Sequence, residues 1–355
     1  MERRRLLQAA AAVLAAGPWL AHAQKRVPIA DMHSHYGMVS RRALLESGLA
    51  DDMRANGVAL VAWKAIPDAP WLRRTTTGIE PAGEPRPGEL ANRFGTHLER
   101  MKAYIERHKL KTVLTRGDVD ACLAGESGIV LASEGADFLE GRIEGLASAY
   151  AKGLRHLQLV HYISTPVGDR QTSAPSHGGL SDLGKRLVEA CNERGILLDF
   201  AHLAAPAVEQ ALGIATQAPI WSHGWVDTEA GSWNDASGFL RRRLSLDQAK
   251  KIAAKGGVIG LWTLGLQRYN AKWPVAPRDY AAYARELAAL VGKLGPDHVA
   301  LGTDIEGVGE NWAVNSYEHV RGVIQVLEEA KLASSVIEKV AYANYARVLK
   351  AALKA

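Results

Sequence analysis

The sequence lacks the features that would place its body in a membrane or on a nucleic acid. Outside the N-terminal segment, none of the 355 residues lies in an uncharged apolar run of about eighteen, the length that a bilayer-spanning helix needs. The longest basic run there is Arg241 to Arg243, and no nucleic-acid-binding motif accompanies it. We therefore expect a soluble body with no nucleic-acid partner.

Cysteine and net charge are also scarce. Cys122 and Cys191 are the only cysteines, and the sequence leaves open whether they form a disulfide or are two separate buried thiols. The formal net charge is +5. Because residues 1–23 contain three arginines and one glutamate, residues 24–355 carry +3, from 40 Lys and Arg against 37 Asp and Glu. So small an excess is weak support for a polyanionic partner.

An export signal is predicted at residues 1–23. Three arginines begin it, an alanine- and leucine-rich run follows, and Ala21 to Ala23 form the small-residue pattern that precedes cleavage, here before Gln24. The order from Arg3 to Gln8 resembles a twin-arginine signal, which exports folded proteins. We expect a periplasmic protein, with an uncleaved membrane anchor as the alternative. A lipoprotein is not expected, because no cysteine follows the apolar run.

What the sequence does contain is a series of short apolar, β-branched runs separated by stretches with helical spacing. Eight strands alternating with helices predict a parallel sheet, and at this length a closed TIM-type (β/α)8 barrel, with an open doubly wound sheet as the alternative. We expect one catalytic domain over residues 24–355, in which a segment at about 66–127, rich in Pro and Gly at its start, crosses the barrel mouth. The predicted strands are residues 27–33, 58–65, 128–134, 156–162, 196–202, 218–223, 256–262 and 298–304.

Side chains that can bind a metal stand at the ends of six of these eight strands. Parallel barrel strands deliver their carboxyl ends to one face, so these side chains should meet there. A buried polar group costs about 1–3 kcal/mol unless it is satisfied, and a metal centre would satisfy most of them together. Imidazoles with carboxylates favour zinc, and Glu134 is the natural bridge between two ions. The candidates are His33, His35, Glu134, His161, His202, His223 and Asp304.

The remaining histidines do not follow this pattern. Two lie in a helical stretch between the second and third strands, and others lie away from strand ends or at a strand start, so we interpret them as structural. These are His97, His108, His156, His298 and His319. His177, in the loop after the fourth strand, stays undecided because loops on that face can reach a substrate.

Several longer blocks of the sequence resemble the membrane (renal) dipeptidase family of binuclear zinc peptidases. They run in order along nearly the whole chain and are "DMHSH", "GLRHLQLVHY", "HGGLSDLGKRLVEACNERGILLDFAH", "RRLSLDQAKKIAAKGGVIGL" and "DHVALGTDIEG". The resemblance implies a metal-dependent-hydrolase-like (β/α)8 barrel that holds two zinc ions and hydrolyses dipeptides.

The same resemblance implies a role for each matching residue. His33 would bind the first ion, Glu134 would bridge, and His202 and His223 would bind the second. The substrate or its tetrahedral intermediate would contact His161, its free carboxylate would pair with Arg242, and Asp304 would transfer protons.

One position departs from the family pattern. Where the family has H-x-D, this chain has His33-Ser34-His35, so a neutral ligand replaces an anionic one. His35 can still bind zinc, but the loss of charge leaves one ion, or another divalent metal, as an alternative. Two other functions also stay open: tailoring of a secreted peptide such as a siderophore precursor, and silent binding of a ligand. The sequence does not decide the oligomeric state, and a homodimer stays open.

Overall fold

The centre of the fold is a closed ring of eight parallel strands. The computed structural model describes residues 26–38, 48–75, 78–227, 240–263, 280–307 and 314–354. The predicted (β/α)8 barrel is confirmed, because every predicted strand overlaps one strand of the ring. The strands are β1 (Ile29–Ser34), β2 (Val58–Ala65), β3 (Gly128–Ser133), β4 (His156–Gln158), β5 (Leu197–Asp199), β6 (Ile220–Trp221), β7 (Val258–Leu261) and β8 (Val299–Leu301).

The pairing order shows how the ring closes. Around it the strands follow the order β2, β1, β8, β7, β6, β5, β4 and β3, and β3 pairs back to β2. That closing pair is parallel and regular, running from Leu60 opposite Gly128 to Ala65 opposite Ser133. All carboxyl ends therefore lie at the same end of the ring.

The strand sequences are continuous apolar runs because both faces of the ring are covered. Every residue of β1 and β2 is buried. In a barrel one side of each strand faces the interior and the other faces the surrounding helices, so alternation of polar and apolar residues is not required. Polar side chains within or just after these strands are therefore buried by the fold itself.

Helices on the outside connect the strands, and their ends carry recognisable signals. Ser245 caps the helix that follows it by accepting a hydrogen bond from the backbone N–H of Gln248, and Gly195 ends another with a left-handed φ of 75°. The described helices are α1 (Leu49–Asn56), α2 (Glu89–Arg107), α3 (Arg116–Ala124), α4 (Gly145–Ala151), α5 (Asp182–Arg194), α6 (Ala205–Ile214), α7 (Leu246–Ala254), α8 (Tyr280–Leu294), α9 (Tyr317–Glu329), α10 (Ser334–Glu338) and α11 (Asn344–Ala352).

The last helix, α11, covers the amino end of the ring. Tyr345 and Leu349 of this helix are buried with the side chains that fill the barrel interior. The amide of Asn344 donates hydrogen bonds to the carbonyl oxygens of Pro296 and Val299, at the start of β8. Only the carboxyl end of the ring is thus left for a site.

The segment between β2 and β3 places a hairpin near that carboxyl end. Strands Leu72–Thr75 and Gly78–Pro81 pair antiparallel, and helix α2 then returns along the outside of the barrel. Tyr104 of α2 packs edge-on against Trp63 of β2, with ring centroids 5.2 Å apart. Of the predicted excursion at 66–127, residues 66–69 and the hairpin lie at this end of the ring, where they line a cleft or contact His161.

Of three other expectations, the structure bears on two. Cys122 and Cys191 are free and buried, so the chain has two separate thiols and not a disulfide. None of the helices in the described ranges combines the length and apolarity that crossing a bilayer demands. The predicted export signal lies outside the described residues, so it stays a prediction.

Candidate metal centre

All seven predicted strand-end side chains gather at the carboxyl end of the ring. Each is no more than 5% exposed, although all are polar. His33 lies within β1 and His35 directly after it, while Glu134 directly follows β3. His161, His202, His223 and Asp304 follow β4, β5, β6 and β8 within three residues. The ring closure therefore brings together groups that are up to 271 positions apart in the sequence.

The first trio of candidate ligands, His33, His35 and Glu134, is built on two strands. His33 and His35 are alternate residues at a strand end, so their rings project to the same side. Their Nε2 atoms lie 3.0 Å apart. Oε2 of Glu134 lies 2.8 Å from Nε2 of His35, and Oε1 lies 3.4 Å from Nε2 of His33.

The second trio, Glu134, His202 and His223, shares the same carboxylate. Nε2 of His202 lies 3.3 Å from Nε2 of His223. Oε1 of Glu134 lies 3.1 Å from the first of these nitrogens and 3.5 Å from the second. Within each trio one ligand atom from every residue lies within 4.8 Å of the others. Glu134 thus stands between two groups of imidazoles, as a bridging ligand would.

The chemistry of these atoms fits divalent cations. Four imidazole nitrogens and a carboxylate converge in a buried space, and in their metal-binding forms all of them are acceptors that repel one another without a cation. Oδ1 of Asp304 is buried beside them with no hydrogen-bond donor among the described residues. A mixed nitrogen and oxygen set is the kind that zinc prefers. The predicted ligands therefore fit zinc, while the number of ions stays a prediction.

The pKa values in this cluster reflect burial and the charges of neighbouring side chains. Burial lowers the pKa of His202 and of His223 well below the usual value, and the charge of Arg242 adds to the effect in both. Burial would raise the pKa of Glu134, but the charges of His161, His33 and His35 outweigh it and hold that pKa well below its usual range. Burial would likewise lower the pKa of His35, but Glu134 and Asp304 raise it to about 10. The carboxylates of Glu134 and Asp304 therefore favour positive charge on the ring of His35.

Asp304 is held beside the first trio. Its backbone adopts a left-handed φ of 54°, unusual for a residue other than glycine, and its N–H donates to the carbonyl oxygen of His33 at 2.9 Å. Oδ2 accepts a hydrogen bond from Nε1 of Trp262 at 2.9 Å. Oδ1 then lies 3.2 Å from Nε2 of His35. This oxygen is placed to take a proton from a group bound between the two trios.

His161 lies at the edge of the cluster and is oriented by Asp68. Its Nδ1 contacts both carboxylate oxygens of Asp68, at 2.8 and 2.9 Å, and its Nε2 lies 3.3 Å from Oε2 of Glu134. Burial alone would lower the pKa of His161, but the charges of Asp68 and Glu134 outweigh it and raise that pKa. His161 is therefore placed to donate a hydrogen bond from Nε2 to a ligand in the centre.

Arg242 is fully buried behind the second trio. Its Nη2 donates to Nε2 of His223 at 2.9 Å, and its Nη1 donates to Oε1 of Gln171 at 3.1 Å. Arg241 and Arg243 border a different cleft, so Arg242 is the one of the three arginines that is directed at the centre. The pairing of Arg242 with a substrate carboxylate stays a prediction, because Arg242 does not line the cleft above the centre.

A cleft of about 650 Å³ leads down to these groups. Its floor includes Glu134, His161 and Asp304, and one wall comes from the hairpin between β2 and β3. Arg73 and Arg74 of that hairpin line it. The cleft therefore has an acidic and imidazole-rich floor beneath a basic edge.

The histidines that were interpreted as structural do not line this cleft. Nε2 of His156 contacts Nζ of Lys64 at 2.9 Å, inside the barrel, and Nδ1 of His298 contacts the carbonyl oxygen of Gly257 at 2.9 Å. His177, which was undecided, is exposed on a loop and also does not line the cleft.

Sequence reasoning missed the groups that orient the predicted residues. Lys64 and Trp262 lie at the ends of β2 and β7, the two strands without a metal-binding candidate, and a strand-end rule that included all polar side chains would have found them. Asp68 follows β2 by three residues, and Ser222 immediately precedes His223. No local spacing pairs Asp68 with His161, which is 93 positions away, or Ser222 with His33, which is 189 positions away.

Comparison with a protein-family profile identifies a relationship over most of the chain. The profile described as "Membrane dipeptidase (Peptidase family M19)" matches residues 50–355. An uncharacterised Klebsiella pneumoniae protein encoded in the pqqA 5′ region is 23% identical over 277 residues, covering 74% of this chain and 97% of that protein. The chain spans only 50% and 20% of two curated dipeptidases that it matches, Dipeptidase verJ of Clonostachys rogersoniana and Dipeptidase 3 of Mus musculus.

Solved structures share the fold. A structure described as dipeptidase AC, a metallopeptidase of family M19, has a TM-score of 0.78 and 20% identity, covering 93% of this chain and 99% of that one. A Rhodobacter sphaeroides metallopeptidase, liganded with a phosphinate mimic of the dipeptide L-Ala-D-Ala, has a TM-score of 0.72 and 18% identity, covering 92% and 99%. At these identities the likeness shows a shared fold and does not identify a substrate.

Proposed function

Because the chain belongs to the membrane dipeptidase family, peptidase family M19, we propose that it hydrolyses the amide bond of dipeptides or similar small peptides at a zinc centre. The observation that carries this proposal is the position of Glu134 between two imidazole pairs. His33 and His35 with Glu134 would hold one ion, and Glu134 with His202 and His223 a second. When bound, zinc supplies Lewis acidity, which polarises a carbonyl and makes water a nucleophile near neutral pH.

Asp304 is the proton carrier in this proposal. Its Oδ1 faces the first trio and Trp262 holds its other oxygen, so the carboxylate is oriented before substrate arrives. A carboxylate at this position takes a proton from the attacking water and returns it to the leaving amine. A protein that only binds a ligand has no need of such an oriented acid.

His161 is the group that would stabilise the carbonyl oxygen as it gains charge. It lines the cleft, and Asp68 turns its Nε2 toward the cluster. A buried, preoriented donor stabilises developing negative charge more than water does, because it needs no reorganisation during the reaction.

Arg242 would bind the free carboxylate of a short peptide only if its guanidinium leaves Nε2 of His223, which it now contacts. If Nε2 of His223 serves as a metal ligand, it no longer accepts from Arg242, and the guanidinium, which matches carboxylates in geometry, would be free to turn to a substrate. A requirement for a nearby free carboxylate would explain a preference for dipeptides over proteins.

The test is a reconstitution. Metal is removed with a chelator, zinc is restored, and a panel of dipeptides that varies the side chains and the stereochemistry of the second residue is assayed, with Asp304→Asn as the inactive control. We expect turnover that depends on zinc. A zinc-loaded, folded protein that hydrolyses none of the panel would refute the proposal.

We also propose that the protein is exported to the periplasm. The support is the basic, apolar and A-x-A pattern of residues 1–23, with its twin-arginine-like start. Fractionation of cells expressing the full chain should find a shortened protein in the periplasm. Replacement of Arg3 to Arg5 with lysine should retain it in the cytoplasm, and an unchanged distribution would exclude the twin-arginine route.

A further inference from the structure

We propose that the hydroxyl of Ser222 is a positioning group shared by the two halves of the metal centre. It accepts one hydrogen bond from His33 of the first trio and one from His223 of the second, and so directs Nε2 of both rings toward metal. This inference rests on the proposed function, because it presupposes one ion in each trio.

The contacts of Ser222 are short and fully buried. Its Oγ lies 3.0 Å from Nδ1 of His33 and 3.1 Å from Nδ1 of His223. The two rings are tilted across each other, with centroids 3.8 Å apart. Ser222 itself has no exposed surface. One oxygen atom therefore meets a candidate ligand of each ion, on the side of each ring opposite to its ligand nitrogen.

The direction of these hydrogen bonds follows from the ring nitrogen that each histidine must leave free for a metal ion. A neutral imidazole carries one hydrogen, so a ring that binds metal through Nε2 must carry its hydrogen on Nδ1. If the serine donated to either Nδ1, that ring would carry its hydrogen on Nε2 and could not bind an ion. A hydroxyl oxygen has two acceptor lone pairs, so it can accept from both rings together. Only this arrangement leaves both Nε2 atoms available.

Ser222 is held firmly enough for this role. Its backbone N–H donates to Oδ1 of the buried Asp199 at 3.0 Å. The chain also approaches it very closely at Gly260 and Gly302, where a Cβ atom would collide with the carbonyl oxygen of Ser222. Because only glycine permits such an approach, the backbone around the hydroxyl has little room to shift.

The other two histidines differ, which makes the shared hydroxyl a specific feature. Nδ1 of His35 has its own acceptor, the carbonyl oxygen of Lys64 at 3.3 Å. Nδ1 of His202 is buried without a hydrogen-bond partner in the part of the chain that the structure describes. Loss of the Ser222 hydroxyl should therefore weaken one ligand in each trio at the same time.

The test measures zinc affinity and not activity. The metal-free parent and the variants Ser222→Ala and Ser133→Ala are titrated with zinc in competition with a chromophoric chelator. Ser133 is the matched control, because it is also fully buried and immediately precedes a candidate ligand, Glu134, but its hydroxyl donates to the carbonyl oxygen of Gly135 at 2.8 Å. We expect two ions in the parent, dissociation constants raised about 10- to 100-fold for both ions in Ser222→Ala, and less than about threefold change in Ser133→Ala.

Each other result decides against the proposal. The proposal would be overturned if Ser222→Ala binds both ions as tightly as the parent, if the substitution weakens the binding of only one ion, or if the parent binds a single ion. If Ser222→Ala does not fold, nitrogen-15 spectra of histidine-labelled, zinc-loaded parent protein decide instead, since they identify the protonated ring nitrogen. Hydrogen on Nδ1 of both His33 and His223 is expected, and hydrogen on Nε2 of either would overturn the proposal. Two tightly bound ions without dipeptide hydrolysis would reject the proposed function and leave this inference standing.

Discussion

Lys64 lies inside the barrel with no exposed surface, and its Nζ lies 2.8 Å from Oδ2 of the equally buried Asp199. Replacing it with methionine keeps an unbranched apolar side chain of similar length up to Cε but removes the ammonium group, which leaves the carboxylate without its cation. Removing one partner of a buried pair typically costs about 3–5 kcal/mol, because an uncompensated charge stays in a medium of low polarity. We expect Lys64→Met to lower the free energy of unfolding by that amount.

The magnitude can be judged from what remains around Asp199. Oδ1 still accepts hydrogen bonds from the backbone N–H groups of Ala201 and Ser222, each at 3.0 Å, and Oδ2 still contacts His156 at 3.1 Å. These dipoles compensate part of the charge, so we expect a loss near the lower end of the range. Urea denaturation of metal-free protein at pH 7 measures it without a contribution from bound ions.

The matched control is the surface pair between Lys251 and Glu209, which has the same 2.8 Å separation but is about half exposed. Lys251→Met should cost only about 0–1 kcal/mol, because water screens both charges. Equal losses in the two variants, or a loss under about 1 kcal/mol for Lys64→Met, would refute the reasoning that burial determines the cost.

A pH series gives an independent check on the sign. Burial would raise the pKa of Asp199, but the charge of Lys64 and the hydrogen bond with His156 outweigh it and hold that pKa well below 3.8. In the parent, the stabilisation from this ionised carboxylate is present above its unfolded pKa and is lost as the pH falls through the lower folded value. Without Lys64 the carboxylate should protonate at higher pH and so lose its unpaired charge. The difference between parent and variant should therefore shrink as the pH falls toward 4, and a difference that grows would contradict this account.

Three further predictions concern the metal centre. Asp304→Asn should lower kcat about 10²- to 10⁴-fold, because it removes a proton-transfer group. Steady-state kinetics on variant protein with the same zinc content as the parent measures this, and an unchanged kcat would remove Asp304 from the mechanism. Asp68→Asn should lower kcat about tenfold with little change in KM. Because Asp68 acts through the ring of His161, the same substitution should have no further effect on kcat in a His161→Gln background. Additive losses of kcat would show a separate role for Asp68. His35→Asp should lower the dissociation constant of the first zinc ion at least about tenfold, equivalent to about 1.4 kcal/mol, because it adds a negative charge to the first trio. Chelator competition measures this constant, and equal or weaker binding would show that the imidazole is the better ligand here.

The strand-end pattern was the most predictive part of the sequence. Apolar runs such as that of β2 identify strands without tertiary information, because both faces of a barrel strand are buried. Once a parallel barrel is inferred, residues such as His202 and Asp304 must meet at one end, since every strand points the same way. The seven strand-end candidates therefore came together in the structure as expected, although their roles as ligands or acids stay predictions.

Orientation within the site was not predictable in the same way. Arg242 illustrates this, because the family resemblance implies that it binds a substrate carboxylate, whereas its guanidinium contacts His223 and lies outside the cleft lining. The direction of the guanidinium donors depends on side-chain packing against Trp262, whose ring centroid lies 5.5 Å from the guanidinium carbon. No spacing in the sequence encodes that contact.

By itself, the sequence determined eight strands alternating with helices and the set of polar residues at the strand ends, because these depend on local periodicity and on strand polarity alone. Closure of the sheet into a barrel rather than an open sheet was decided by the pairing of β3 with β2. Only the tertiary structure decided that Asp68 orients His161, that Ser222 meets His33 and that Lys64 pairs with Asp199. These contacts join residues 93, 189 and 135 positions apart. Each distance across the ring results from the twist and register of all the intervening strands, so no short stretch of sequence carries it.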